Sequence, residues 1–507
     1  MTPLLVGVDV GTTNVKAVVY KPDGTAVAVA VVPTPTHYPR PSWAFYRPDE
    51  LWAQTTSALR DALAKVDDPR RVAGIAITSM GEAGVPLDTA GKPTFDAIAW
   101  FDTRTEPQVA WLEREIGRDF LFATTGLSLQ PIWSLCKLLW LRENQPDAFG
   151  RTVRWLNIAD YVAYRLCGAQ ATDLSLASRT MALDLAGLRW SEDLLAAVGL
   201  PRDLLAPLAP SGTRLAGVTA ESARETGLPA HTPVSAGGHD HVCGAFAAGV
   251  TEPGAVLNSL GTAEALFVAL ERPLTDAAMG DQGYSQGAHV VPGRYYAFGG
   301  QYTVGASVDW LRGILGADAD YATLLAEAEA TPPGSLGVCF LPHLRLAGPP
   351  VDDPRSRGAF VGLSTDATRG TLVRATLEGL AFESRSSLEP LLAHAGVAMP
   401  SEIVAIGGVT RNTLLMRIKA TTLDRPFTVA DVEEATTLGA AILGGIGAGV
   451  YPDVPTALSG LRYPRTPTLP MAEDVVSYDA LYRDVYRRIY PALRPVHHAV
   501  HASQSGS

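Results

Sequence analysis

A Gly-Thr turn between two apolar stretches occurs twice in the chain, once near the start of each half. The first is Gly11-Thr12 and the second is Gly261-Thr262, in a sequence of 507 residues. Turn residues between two runs of strand formers are typical of a β-hairpin. The recurrence predicts two related α/β lobes with a boundary near Gly249–Pro253, and chance recurrence of a common turn is the alternative.

Strand and helix patterns alternate along the chain. β-Branched apolar runs predict strands, and apolar residues at helical spacing predict helices. Strands are expected at Leu4–Val10, Val15–Tyr20, Thr25–Val32, Val72–Thr78, Thr232–Ala236, Gly254–Leu260, Ala263–Leu270, Tyr295–Phe298, Ile403–Ile406 and Phe427–Val429. Helices are expected at Leu51–Lys65, Ser134–Glu143, Asp160–Leu166, Arg369–Leu388 (ended by Pro390), Arg411–Leu423 and Ala435–Gly444. The alternation indicates an α/β fold.

Four tyrosines near the C-terminus recur every four residues, at Tyr478, Tyr482, Tyr486 and Tyr490. This spacing places them on one stripe of a final helix, where packing is the expected role. Residues 496–507 are expected to form a flexible tail.

Charge and cysteine content narrow the range of partners. There are 52 acidic and 41 basic residues, a formal net charge of −11. Nucleic acid and anionic membranes require a basic surface, so neither is expected as a partner. The four cysteines form no CxxC pair, which predicts buried thiols in a reduced, cytoplasmic protein. The weakly polar run Ala435–Tyr451 is short and glycine-rich, which favours a buried helix over a membrane span.

The first turn has residues suited to phosphate. Glycine at position 11 lets the backbone approach a ligand, and the turn N–H groups with the hydroxyls of Thr12 and Thr13 can cradle phosphate oxygens. Asp9 at the strand end can hold Mg²⁺, directly or through water. The segment is neither a Walker A loop nor a GxGxxG fingerprint, and alone it is equally compatible with an ordinary hairpin.

Three glycine sites taken together are a more specific signal of a nucleotide site than the first turn alone. Two Gly-Thr turns that face each other across a cleft would hold one polyphosphate from both sides. Gly407-Gly408, between a predicted strand and a predicted helix, would let a base and ribose lie on the backbone.

Further segments in a fixed order extend over residues 4–495. They are Gly7–Lys16, Trp100–Thr105, Ser134–Leu141, Asp160–Gly168, Thr172–Ser178, Gly358–Leu363, Leu377–Gly379, Gly407-Gly408 and Glu434–Ala441. In this order they resemble the FGGY family of carbohydrate kinases. The resemblance implies the duplicated actin-like ATPase fold shared with hexokinases. Two ribonuclease H-like lobes, 1–250 and 251–495, would have mixed sheets flanked by helices, with the active site in the cleft between them.

The resemblance also implies a function and roles for individual residues. The function is ATP-dependent transfer of a phosphoryl group to a small sugar or polyol, with Asp240 as the catalytic base and Asp9 placing Mg²⁺. The implied nucleotide contacts are Gly11, Thr12, Thr13, Lys16, Gly261, Thr262, Gly305, Gly407, Gly408 and Asn412. The implied substrate contacts are Glu82, Asp102, His239, Asp240 and His241. A homodimer is the expected assembly.

The predicted sugar side departs from the better-known members. Glycerol kinases place Arg-Glu where this chain has Gly81-Glu82, and aromatic residues at Ile132 and near Ala265, which disfavours glycerol. Xylulokinases carry Met-His near Gly81-Glu82 and follow the catalytic Asp with Asn, where this chain has His241. The family stretch ending in Gly-Glu-Arg-Thr-Pro is replaced by Arg345–Pro350.

We expect a ketopentose such as xylulose as substrate, with another ketose, a deoxy-sugar or a polyol as alternatives. Glu82, His239, Asp240 and His241 are expected to converge on substrate hydroxyls, with Glu82 paired to His241. An actin-like or chaperone-like ATPase without sugar chemistry is the alternative of another class. Asp240 with Trp100–Arg104 favours the kinase, because a chaperone has no need of them.

Overall fold

The computed structural model describes residues 2–316 and 320–505. The principal strands are β1 Leu4–Val10, β2 Asn14–Tyr20, β3 Ala26–Pro33, β4 Val72–Ser79, β5 Arg214–Gly217, β6 Pro233–His239, β7 Val256–Leu260, β8 Glu264–Leu270, β9 Ser285–Ala288, β10 Tyr295–Gln301, β11 Ile403–Ile406, β12 Phe427–Ala430 and β13 Arg465–Thr468. The principal helices are α1 Pro48–Leu63, α2 Ser134–Asn144, α3 Ile158–Cys167, α4 Leu174–Ser178, α5 Asp240–Ala247, α6 Gly305–Leu315, α7 Tyr321–Ala330, α8 Arg369–Ala395, α9 Thr413–Leu423, α10 Ala435–Gly447 and α11 Arg487–Ser505.

Two mixed sheets share one topology. The first has the strand order β5-β6-β4-β1-β2-β3, and the second β9-β10-β8-β7-β11-β12-β13. In each, a hairpin (β1–β2 or β7–β8) occupies the middle, with an antiparallel strand on one side and two parallel strands on the other. The duplication predicted from the two turns is therefore present in the strand order, and both turns are hairpin turns.

Helix α10 of the second half packs directly against the first sheet. A Cβ at Gly7 of β1 would lie 1.8 Å from Thr437 O, and one at Gly439 of α10 would lie 2.1 Å from Cys243 O. Only glycine permits such close approach of two backbones. The glycine-rich run is thus a buried helix, as predicted. No described helix has the length and apolar composition that a bilayer crossing requires.

Two helices extend beyond their predicted ends. Helix α8 continues through Pro390 to Ala395, although proline removes one hydrogen bond, because buried Leu388, Leu391 and Leu392 hold this turn in the core.

Helix α11 reaches Ser505, into the segment predicted to be a flexible tail. His498 Nε2 lies 2.7 Å from Asp353 Oδ2, and Arg357 N–H donates to His497 Nδ1 at 3.4 Å. These contacts hold a segment whose sequence alone has no strong helix signal. Residues 506 and 507 lie outside the described residues.

The tyrosine stripe packs as predicted. Tyr478, Tyr482 and Tyr486 are buried, and Tyr486 donates to Glu383 at 2.6 Å. The four cysteines are free thiols, three buried and Cys339 half-buried.

Candidate active site

Asp9 is the penultimate residue of β1, beside the first Gly-Thr turn. Its Oδ2 accepts a hydrogen bond from Thr436 Oγ1 at 2.9 Å, whereas Oδ1 is buried and has no partner among the described residues. Burial, together with the nearby charge of Asp240, raises the pKa of Asp9 to about 7. A bound cation would relieve both costs, so the Asp9 carboxylate fits the Mg²⁺ role expected of it.

No cluster of three or more potential metal-ligating side chains occurs within residues 2–316 and 320–505. Mg²⁺ at phosphoryl-transfer sites commonly takes one or two protein carboxylates and fills its remaining positions with water and phosphate oxygens. A single well-placed carboxylate is therefore a sufficient protein contribution.

The first turn leaves donors unused. Gly11 N–H closes the hairpin on Asn14 O at 3.0 Å, and Thr12 Oγ1 accepts from Trp100 Nε1 at 2.9 Å. The N–H groups of Thr12 and Thr13 find no acceptor in the part of the chain that the structure describes. Two adjacent unpaired N–H groups in a tight turn form a concavity suited to an anion.

Lys16 of β2 lies opposite Asp9 of β1 in the first hairpin, and its contact with the nucleotide stays a prediction. Its Nζ contacts both carboxylate oxygens of Glu434, at 2.7 and 2.8 Å, immediately before α10. Nearby, Tyr20 Oη and Thr437 Oγ1 are 2.6 Å apart. Lys16 thus ties the first sheet to the second half, because Glu434 belongs to the second half.

The second turn and Gly305 lie together. Gly261 N–H closes the hairpin on Ala263 O at 2.9 Å, and Gly305 N–H donates to Gly261 O at 3.1 Å. A Cβ at Gly305 would lie 2.9 Å from Gly261 O, so the start of α6 sits against the turn. The Thr262 N–H finds no acceptor among the described residues.

A buried ionic cluster supports this turn. Glu264, the first residue of β8, pairs with Lys419 of α9 at 2.7 Å, and both side chains are fully buried. Ser384 of α8 also donates to the Glu264 carboxylate at 2.7 Å. The strand that leaves the turn is thereby fixed to two helices.

Gly407 and Gly408 lie at the end of β11. Gly407 has φ +101°, and a Cβ there would lie 2.2 Å from Leu260 O, whereas one at Gly408 meets nothing within 4 Å. Asn412 caps α9 by accepting from Leu415 N–H at 2.9 Å and donates to Tyr321 Oη at 3.1 Å. The loop therefore presents open backbone close to a half-exposed aromatic ring.

Asp240 is the first residue of α5, directly after β6. Its Oδ1 accepts from His241 N–H at 2.6 Å and lies 3.2 Å from His239 Nε2. Burial raises the pKa of Asp240, and the neighbouring Glu82 raises it further, while His241 and Arg179 lower it. A carboxylate with a raised pKa next to a phosphate-type turn has the properties of a general base.

Glu82 pairs with Arg179, which corrects the expected Glu82–His241 pair. Arg179 Nε donates to Glu82 Oε1 at 2.6 Å, and both side chains are buried. Glu82 has φ +64°. Its carbonyl is held in this strained conformation by Ser134 Oγ and Lys137 Nζ, each at 2.9 Å. Burial lowers the pKa of Lys137 to about 8.

Asp102 is saturated by protein groups. Its two oxygens accept from Arg104 at 2.7 and 2.8 Å, and Oδ2 also accepts from Ala44 N–H at 2.5 Å. The pair is almost wholly buried. The Asp102–Arg104 pair fixes the segment from which Trp100 donates to the Thr12 hydroxyl.

His241 is exposed, and its ring centroid lies 5.4 Å from that of Phe298 in the second lobe and 5.5 Å from that of His239. The structure thus brings Glu82, His239, Asp240 and His241 together, as expected, and the charge of Asp240 is close enough to raise the pKa of Asp9.

Sequence reasoning missed Arg179 and Thr436. Arg179 immediately follows α4, and its guanidinium carbon lies 4.7 Å from the centre of the Trp133 ring. Neither residue has a local signal, since each reaches the site by long-range packing.

Comparisons with known proteins agree with this geometry. The model of the FGGY carbohydrate kinase N-terminal domain matches residues 4–247, and that of the C-terminal domain matches residues 256–448. A glycerol kinase of Citrifermentans bemidjiense is 33% identical over 463 residues, covering 88% of this chain and 90% of that protein.

Xylulose kinases are also similar. That of Bacillus subtilis is 27% identical and covers 94% of this chain and 95% of its own. The crystal structure of the Rhodospirillum rubrum enzyme is 31% identical with a TM-score of 0.88, covering 98% of this chain and 100% of that one. The chain therefore belongs to the FGGY family of carbohydrate kinases, and is an ATP-dependent phosphotransferase acting on a sugar or polyol.

Proposed function

We propose that this enzyme transfers the γ-phosphoryl group of MgATP to a hydroxyl of a ketopentose such as xylulose, with Asp240 as the base. Residues 1–250 bind the sugar and residues 251–495 bind the nucleotide. The observation that carries the proposal is the position of Asp240. Its side chain is 23% exposed, its Oδ2 has no partner among the described residues, and its charge raises the pKa of Asp9 beside the first turn.

The chemistry follows from these positions. The substrate hydroxyl gives its proton to Asp240 Oδ2 while its oxygen bonds to the γ-phosphorus, and the bond to the β–γ bridging oxygen breaks to release ADP. The unpaired N–H groups of Thr12, Thr13 and Thr262 bind phosphate oxygens. Mg²⁺, placed by Asp9, neutralises phosphate charge when bound. Transfer otherwise depends on alignment, which the two hairpin turns provide.

The charges around Asp240 favour a neutral substrate. Arg179 and Glu82 neutralise each other, so ionised Asp240 leaves the sugar side with one negative charge. His239 adds none, because burial lowers its pKa well below the usual value. A sugar acid would meet this negative charge, and the remaining buried cation, Lys137, already donates to the backbone carbonyls of Glu82 and Ile132, whereas a ketose or polyol supplies only hydroxyls and a carbonyl.

Glycerol is the second candidate, favoured by the 33% identity to a glycerol kinase. Against it, Ile132 and Ala265 stand where glycerol kinases carry aromatic residues, which supports a roomier site than a three-carbon substrate requires. An ATPase without sugar chemistry is set aside, since the chain belongs to a family of carbohydrate kinases.

The test is a coupled ADP-release assay over D-xylulose, other ketopentoses, deoxy-hexuloses, glycerol, longer polyols and D-gluconate. The proposal expects the highest kcat/KM with a ketopentose and no stimulation by D-gluconate. A preference for glycerol would replace the leading substrate by the second candidate, while a preference for D-gluconate would contradict the charge argument.

A further inference from the structure

His239 is the last residue of β6 and directly precedes Asp240. Its side chain is only 7% exposed, and its Nε2 lies 3.2 Å from Asp240 Oδ1. Its other ring nitrogen, Nδ1, is buried and has no hydrogen-bond partner among the described residues. The Asp240 carboxylate is the one acidic side chain that the described residues place against this imidazole.

The contact defines the tautomer of the ring. Burial, the Arg179 guanidinium and His241 all lower the pKa of His239 well below its usual value, so the ring is neutral and carries one N–H. That proton lies on Nε2, which faces the carboxylate. An ionised carboxylate oxygen is only an acceptor, so the nitrogen beside it must be the donor. Nδ1 then keeps only a lone pair, consistent with its lack of a donor.

The backbone and the space around His239 fix the ring. His239 N–H donates to Ser175 Oγ at 2.9 Å, and Ser175 Oγ donates to Asp173 Oδ2 at 2.7 Å. On the other side, a Cβ at Gly81 would lie 3.1 Å from both His239 Cδ2 and Arg179 Cγ. Gly81 thus leaves room for the imidazole, and Ser175 of α4 holds the His239 backbone in place.

The two oxygens of Asp240 have different surroundings. Oδ1 accepts from His241 N–H and lies 3.2 Å from His239 Nε2, whereas Oδ2 has no partner in the described part of the chain and is not sealed from solvent. We propose that His239 is a positioning residue for the base: its Nε2–H holds Oδ1, which leaves Oδ2 aligned to take the proton from the substrate hydroxyl. The direct substrate contact expected of His239 from the sequence stays a prediction. The positioning role rests on the proposed function, in which Asp240 is the base.

The test compares His239→Leu, which removes the donor, with His239→Gln, which keeps an N–H donor on a side chain of similar reach. His289→Leu is the matched control, because His289 is also buried and neutral but lies in the second lobe. Its ring nitrogens contact the backbone of Val250 and Val291. Turnover is measured with the best acceptor of the panel, and nucleotide affinity with MgADP.

His239→Leu is expected to lower kcat by roughly 10²-fold, the cost of a misplaced reacting group, with sugar KM and MgADP affinity within twofold of wild type. His239→Gln should recover most of this loss, and His289→Leu should leave kcat unchanged. A His239→Leu enzyme with wild-type kcat, a His239→Gln enzyme as slow as the leucine variant, or a change confined to sugar KM would overturn the proposal. If His239→Leu fails to fold, His239→Met fills the same space without a donor and takes its place.

Asp240→Asn separates this inference from the proposed function. When His239 acts through Asp240, the double variant His239→Leu/Asp240→Asn is as slow as Asp240→Asn alone, because the losses are not additive. An active Asp240→Asn enzyme would reject the proposed base itself. An inactive Asp240→Asn enzyme beside a fully active His239→Leu enzyme would reject only the positioning role.

Discussion

Gly407 and Gly408 are adjacent but have different surroundings. A methyl group at Gly407 would collide with the backbone carbonyl of Leu260, whereas a methyl group at Gly408 would have open space around it. Gly407→Ala should lower the free energy of unfolding by about 1–3 kcal/mol, since φ +101° is strained for any residue with a Cβ. Gly408→Ala should leave stability unchanged and weaken MgADP binding about tenfold, because its methyl occupies the proposed nucleotide space, a cost of roughly 1.4 kcal/mol.

Urea unfolding and calorimetric titration of the two variants check this pair. Unchanged MgADP affinity in Gly408→Ala would remove Gly408 from the nucleotide site. Equal stability of the two variants would contradict the close contact of Gly407 with Leu260.

The pKa of Asp240 sets the expected pH dependence. Burial raises this pKa above its ordinary value of 3.8, and a base acts only when ionised, so kcat/KM should fall as pH drops through the raised value. Because the charge of Asp240 also raises the pKa of Asp9, we expect the acid limb to belong jointly to the two carboxylates. An acid limb of kcat/KM at or below pH 3.8 would show that no carboxylate of raised pKa governs the reaction.

Which residues the sequence predicts depends on how locally they act. Asp9, Gly11 and Thr12 lie within one hairpin, so their grouping follows from the turn itself. Arg179 could not be found this way, because it meets Glu82 from 97 positions away. Asp102 looked available for substrate, but Arg104, two residues on, takes both its oxygens.

At the level of elements, the join between β8, α8 and α9 rests on a fully buried ion pair, Glu264–Lys419. Lys419→Met should cost about 3–5 kcal/mol of stability, because it leaves the Glu264 carboxylate buried without a countercharge. The double variant Glu264→Gln/Lys419→Met removes both charges and should recover most of the loss. Thermal and urea unfolding provide the comparison, and equal losses in the single and double variants would contradict a charge-based cost.

Element positions were predictable where the apolar pattern was strong. Strands β1, β8 and β11 carry near-continuous apolar runs, and the structure places them close to the expected residues. The extension of α8 past Pro390 and of α11 to Ser505 depends on burial and side-chain contacts that local propensity does not encode.

For the whole molecule, the two lobes are joined along α10 and tied by the ion pair of Lys16 with Glu434. Closure of the cleft should accompany binding of both substrates, since water competes with the sugar for the phosphoryl group. X-ray scattering should show a smaller radius of gyration with the sugar and a non-hydrolysable ATP analogue together than with neither. Identical profiles in the two states would argue against closure.

The central claim is that Asp240 is the base for phosphoryl transfer from ATP to a neutral sugar or polyol. Its most direct test is sugar-dependent ADP release by Asp240→Asn, measured beside MgADP affinity and thermal stability. We predict a fall in kcat of about 10²–10⁴-fold, the range for a lost general base, with MgADP affinity and stability close to wild type. An Asp240→Asn enzyme that keeps kcat within tenfold of wild type would contradict the claim.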